Sequence, residues 1–143
     1  MPFKKKTTWL LIGDGVGAQL YTVHALPFRI TKVAGGLIKA TPKNSRWPEH
    51  RPDTRHTATS TRGSAVAQRH ENVFVEHVAA KVEAAAASKR FDDIIVVLPP
   101  KALAHFRKAV GPLTQKKIKQ QIRSEWTQLA KPDIEKHLAK RLP

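Results

Sequence analysis

The sequence predicts an α/β protein built on one mixed sheet of about five strands with flanking helices. Three observations lead there. β-leaning runs crowd the first forty residues, and from residue 74 onward helical stripes alternate with an unbroken apolar run. The length of 143 residues suits one domain with one core, and 41 % hydrophobic content is ordinary for a folded chain.

TTWLLIGDG at 7–15 reads as a buried strand ending in a glycine-bounded turn. AQLYTVHA at 18–25 follows after a short break and alternates as a hairpin partner would. FRITKVAGGLIKA at 28–40 continues in β-leaning residues, with Gly35-Gly36 as a bulge or turn. These three segments predict an antiparallel meander.

From about Thr41 to Arg69 the periodicity disappears, and Pro42, Pro48 and Pro52 punctuate its start. The chain therefore reads as a single domain, 1–143, carrying a long polar, basic loop at about 41–70. Ordering such a loop costs roughly 1–2 kcal/mol per residue. Trp47 and Val66 are nearly the only side chains there able to offset it by burial. The loop is expected to be mobile unless a partner orders it.

A helix is expected to begin between Ser64 and Asn72, its stripe being Phe74, Val75, Val78, Val82 and Ala85/Ala86. FDDIIVVLPP at 91–100 reads as a central strand, apolar on both faces. Pro99-Pro100 stops it and opens the next helix, which carries Leu103, Phe106 and Val110 inward and closes at Gly111-Pro112. KKIKQQIRSEWTQL at 116–129 is ambiguous: Ile118 and Ile122 suit a helix, while a strand around Ile122 to Trp126 is equally allowed. PDIEKHLAKRL at 132–142 predicts a short amphipathic helix. Trp9 and Trp126 belong to the core. Right-handed crossovers between parallel strands are the default.

The net charge of +15 dominates the composition. Residues 1–40 carry +5, 41–70 carry +4, 71–100 carry −2 and 101–143 carry +8, so the excess is not one detachable tail. Such a field favours RNA, a ribosome or another polyanion, although simple solubility accounts for the same excess. With no cysteine there is no disulfide scaffold, thiolate metal site or cysteine nucleophile. Lysines before the Trp9–Ile12 run imitate a signal peptide, but the run is too short for one and far too short to span a bilayer. A cytoplasmic location is expected.

In order along the chain, WLLIGDG at 9–15, Arg55-His56, Arg90-Phe91-Asp92, IIVVLPP at 94–100, Leu103, Arg107, Glu125-Trp126-Thr127 and Ile134-x-x-His137-Leu138 resemble the bacterial host attachment protein family. That family is similar to the middle domain of archaeal and eukaryotic class-one peptide release factors. The resemblance implies a ribonuclease-H-like or release-factor-like topology, a link to translation, and a partner at the cell envelope or host surface as the other option. Gly13 stands where the family has alanine, and Ser124-Glu125-Trp126-Thr127 replaces Lys-Asp-Leu-Thr. The Gly-Gly-Gln tripeptide of release factors is absent, since Leu37 follows Gly35-Gly36. Peptidyl-tRNA hydrolysis is thus not implied.

Several motifs invite chemistry. Gly13-Asp14-Gly15-Val16-Gly17 has its third glycine one position early for a dinucleotide turn, and a strand follows where a helix is needed. A tight hairpin turn is the simpler reading, and no cofactor is expected. Asp14 is the first candidate carboxylate for a metal-dependent hydrolase of RNA or a tRNA ester, with Glu71, Glu76 and Glu83 as further, helix-borne donors; its plainer role is to accept N–H groups of its own turn. Asp92 and Asp93 fall at the wrong end of their strand for that chemistry. The seven histidines form no compact ligand pattern, so no metal site is expected.

If 9–13 and 94–98 are parallel neighbours, their carboxyl ends bring Asp14 beside Pro99-Pro100, where open α/β sheets bind ligands. An anion or phosphate site is expected there, built from Lys101, with Arg55 and His56 swinging in from the loop. Arg107 is a further member or a structural partner of Asp14. A nucleic-acid face is expected from Lys116, Lys117, Lys119 and Arg123, with Trp47 beside Arg46 free to stack on a base. A solvated charged face, and a tryptophan that pins the loop, are the plain alternatives.

Overall fold

The computed structural model describes residues 6–24, 29–45 and 60–141, the first six residues of that last stretch by backbone alone. Five strands form one mixed sheet: β1 (Thr8–Gly13), β2 (Gly17–His24), β3 (Arg29–Lys39), β4 (Asp93–Leu98) and β5 (Ile118–Arg123). Their order is β3-β2-β1-β4-β5. β2 pairs antiparallel with both β1 and β3, while β4 runs parallel to β1 and β5 parallel to β4. The helices are α1 (Pro42–Ser45), α2 (Ser60–Ala87), α3 (Pro100–Ala109), α4 (Pro112–Lys117) and α5 (Lys131–Arg141).

The period of two along β1 and β4 divides their side chains between two cores. Trp9, Leu11, Ile94, Val96 and Leu98 face α2 and α3, meeting Phe74, Val78, Val82, Leu103 and Phe106. Leu10, Ile12, Ile95 and Val97 face the opposite way, toward Trp126 and the α5 residues Ile134 and Leu138. Both faces of β4 are therefore covered, which is why its apolar run is unbroken. Trp9 and Trp126 are buried, as expected. Trp9 stacks on Phe91 at 4.8 Å between ring centroids, and the Arg90 guanidinium lies 5.1 Å over its ring.

The parallel β1–β4 pair is pinned at its start. Asp92 Oδ2 accepts the Thr7 N–H at 2.7 Å, Asp93 Oδ1 accepts the Thr8 hydroxyl, and Lys6 Nζ lies 3.6 Å from Asp93 Oδ2. These two aspartates are thus fastenings at the amino end of β4. Opposite Leu20 the β2–β3 register shifts, and Gly35 takes a φ of +71°, a left-handed conformation that glycine adopts without steric cost. The expected bulge at Gly35-Gly36 is present.

Two stretches depart from the sequence reading. The polar segment 41–70 is partly helical: Pro42–Ser45 forms α1, and α2 begins at Ser60. His70 Nδ1 lies 2.8 Å from the Ser45 carbonyl oxygen, tying α1 to α2. Residues 46–59, the middle of the expected mobile loop, lie outside the described residues. The ambiguous 116–129 segment contains both alternatives in series. α4 ends at Lys117 and β5 begins at Ile118. Ile118 pairs with Ile94 but Gln120 pairs with Ile95, so Lys119 is an extra residue in a bulge. That bulge turns Ile118 toward the α2/α3 core and Ile122 toward the α5 core, although residues four apart in a regular strand share a face.

Candidate functional site

The parallel pairing of β1 with β4 brings the β1–β2 turn beside the start of α3, as expected. The turn is held by Asp14. Its backbone N–H donates to the Gly17 carbonyl at 2.8 Å, and its Oδ1 accepts the N–H groups of Val16 and Gly17 at 2.8 and 2.9 Å. The plainer role foreseen for this carboxylate is therefore filled. α3 opens on Pro100, whose missing N–H costs nothing in a first turn, and Lys101 follows it, exposed.

Between the turn, α2 and α3 lies a recess of about 510 Å³ lined by Asp14, Gln68, Glu71, Pro99, Lys101 and Glu125, among others. Glu71 sits so close to the turn that a Cβ on Gly15 would fall 2.5 Å from its carboxyl group. Only glycine fits there while Glu71 keeps its place. Burial pushes the Glu71 carboxyl above its ordinary range, the charge of Asp14 adds to the rise, and Lys101 opposes it. Lys101 thus stands in the recess as expected, but as one cation among three carboxylates. Glu125 comes from the segment just after β5, and nothing in its sequence surroundings marks it as a partner of Asp14.

Arg107 is exposed two turns into α3; it does not line the recess and forms no ion pair with Asp14. Arg46, Trp47, Arg55 and His56 lie outside the described residues. Among the described residues, no three His, Asp or Glu side chains stand close enough together to hold a metal ion. Asp14, Glu71 and Glu125 line one recess without converging on a point.

The described cations of the expected basic face follow one another from α4 into β5. Lys116 and Lys117 end α4, and Lys119 and Arg123 follow on β5, the last strand of the sheet. Lys116, Lys119 and Arg123 are exposed. Among the described residues only two ion pairs form, Lys6–Asp93 and His105–Glu76, and neither draws on this edge. Arg123 pairs with Leu98, so it stands at the same end of the sheet as the recess.

Residues 9–138 match the family described as "protein required for attachment to host cells". The chain belongs to this host attachment family. The match spans both cores, the Asp14 turn and the basic edge, and stops within α5. A search of curated proteins finds no match. Membership in the host attachment family fixes no biochemical activity. No described helix is long and apolar enough to cross a membrane.

Proposed function

We propose that this host attachment family protein is a basic, non-catalytic binding protein for RNA, with the ribosome as the favoured form of that partner and the cytoplasm as its location. The observation that carries the reading is the unneutralised edge Lys116–Lys117–Lys119–Arg123, within a chain of net charge +15. Four cations without carboxylate partners among the described residues are suited to a line of phosphates, and releasing the counterions of those phosphates drives association. The strand order 3-2-1-4-5, in which β2 alone runs opposite to the rest, supports the ribonuclease-H-like and release-factor-like part of the reading.

Co-sedimentation with ribosomes from the native organism, across a salt series, tests it. Wild-type protein is expected to pellet with ribosomes at low salt and to be released as salt rises. The triple variant Lys116→Glu/Lys119→Glu/Arg123→Glu is expected to stay in the supernatant. Equal pelleting of both proteins overturns the proposal.

The family description favours a second reading, an interaction factor with a partner at the cell envelope or host surface. Native protein confined to surface fractions would support it. Hydrolysis through Asp14 finds less support, because its Oδ1 is committed to the turn. Divalent-metal-dependent turnover of RNA or a tRNA ester, lost in Asp14→Asn, would establish it.

A further inference from the structure

Among the described residues, α5 covers one end of the second face of the sheet and leaves a cleft at the other. α5 lies over the end where β1 begins, and Glu135 Oε2 fastens it there by accepting the Ile30 N–H at 2.8 Å. At the other end the register lines up Ile12, Gln19 and Leu37 across three strands, with Tyr21 and Lys39 one step away on the same face of β2 and β3. The segment after β5 closes one side of this floor with Leu129 and the margin of the buried Trp126, and the result is a cleft of about 420 Å³. That volume falls in the range of small-molecule sites. Asp14 and Val16 line both this cleft and the recess described above, so the β1–β2 turn divides the two.

Two independent features mark the cleft as more than a packing gap. Leu37 is 59 % exposed and Val16 40 %, two of the four large hydrophobic side chains left exposed among the described residues, and both line it. Apolar surface is thus uncovered where polar groups converge. The Gln19 amide donates one N–H to the Leu20 carbonyl at 2.8 Å, which leaves its second N–H as a donor and its oxygen as an acceptor. Tyr21 is half-buried, and burial raises its phenol above the ordinary value, so it stays a neutral O–H donor. Lys39 has no carboxylate within ion-pair distance among the described residues.

From the Tyr21 ring and Leu37 on its floor, the polar groups of Gln19 and Tyr21, and Lys39 at its rim, we propose that this cleft binds a nucleobase with its attached phosphate. The base lies on the Tyr21 and Leu37 side chains beside Leu129; Gln19 and Tyr21 meet its polar edge, and Lys39 meets the phosphate. Aromatic faces accept any base, while the polar edge provides selectivity. The inference does not rest on the basic edge of β5. It concerns different residues on the other side of the sheet.

The test is an NMR titration of the full chain with each of the four common 5′-ribonucleoside monophosphates, and in a second arm with a short single-stranded RNA. Saturable shifts centred on Gln19, Tyr21, Leu37 and Trp126 are expected. The exposed-site variant Leu37→Glu/Lys39→Ala, its fold checked by circular dichroism, is expected to weaken binding by about tenfold or more. Mononucleotides that suffice identify a free nucleotide as the ligand; shifts at the same residues with RNA alone identify one unit of a strand. Absence of saturable shifts in both arms overturns the proposal. So do shifts that persist unchanged in the variant, or concentration-dependent dimerisation that Leu37→Glu abolishes, which would make a second copy the occupant. Lys116→Glu/Lys119→Glu/Arg123→Glu is expected to leave mononucleotide binding unchanged, so failure of this site and failure of the RNA reading are distinguishable.

Discussion

The carboxylate of Glu83 on α2 accepts both the backbone N–H and the hydroxyl of Thr114, each at 2.9 Å. It also takes the Leu113 N–H at 3.3 Å. One side chain thus satisfies the free donors at the start of α4, the short helix that carries Lys116 and Lys117 and leads into β5. No side chain of α4 itself does so, because the position before the helix is Gly111.

Removing this grip has a defined cost. Glu83→Gln weakens the charge-assisted bonds and is expected to lower stability by about 1 kcal/mol, as loss of a helix cap does. The Thr114 N–H, followed by its hydroxyl and the Leu113 N–H, holds the Glu83 carboxyl below its ordinary range. The stabilisation is therefore present above the unfolded-state value and is lost as pH falls through the folded one. Thermal melts of both proteins should differ most near neutral pH and converge in acid.

Glu71 is expected to behave in the opposite sense. Burial, reinforced by the Asp14 charge, raises its carboxyl, so the ionised form opposes folding. That penalty is present above the folded value and vanishes as pH falls below the ordinary carboxylate range. Glu71→Gln should raise the melting temperature at neutral pH and lose its advantage in acid. The group is largely solvent-screened, so the gain should stay below about 1 kcal/mol. A variant less stable than wild type at neutral pH would contradict the account.

Phe106 tests the packing of α3 on the sheet. It is 1 % exposed in the α2/α3 core. Phe106→Ala is expected to cost about 3–5 kcal/mol, which takes a large part of the 5–15 kcal/mol typical of a domain. Chemical denaturation reads the loss directly. A change under about 1 kcal/mol would mean the core is looser than drawn.

Charge reversal on the sheet edge should change a slope as well as an affinity. Each lost phosphate contact lowers the magnitude of the log–log salt dependence by about 0.7–0.9. Lys116→Glu/Lys119→Glu/Arg123→Glu should therefore flatten the dependence by about two units for single-stranded RNA, measured by fluorescence anisotropy. Weakened binding with an unchanged slope would assign the contacts elsewhere.

Periodicity carried most of the fold. The apolar run at 94–98 and the prolines on either side of α3 announced β4 and that helix through local chemistry alone. The start of α2 gave no such signal. Its first turns are Ser, Thr, Arg and Gly, and Val66 there is 41 % exposed, so no buried stripe marks the helix before Phe74. Ile118 and Ile122 misled for a different reason: a bulge set by pairing with β4 reverses the face between them, and pairing is not a local property. The site was legible where topology alone decides, at Asp14 and Lys101. Of the three helix-borne carboxylates named beside Asp14 only Glu71 lines the recess, Glu76 meeting His105 and Glu83 holding α4; Glu125 and the Tyr21–Leu37 cleft were not legible, because each depends on side chains from distant segments meeting across the sheet.

The parallel partnership of Thr8 with Asp93 has a consequence for how the chain is made. β1 is synthesised more than eighty residues before its parallel neighbour β4. Until then a meander emerging from the exit tunnel presents Leu10, Leu11 and Ile12 to solvent with one flank unpaired. Such long-separation closure is slow and exposes sticky edges to self-association. Productive synthesis of this protein should accordingly depend on nascent-chain chaperones more than its modest size suggests.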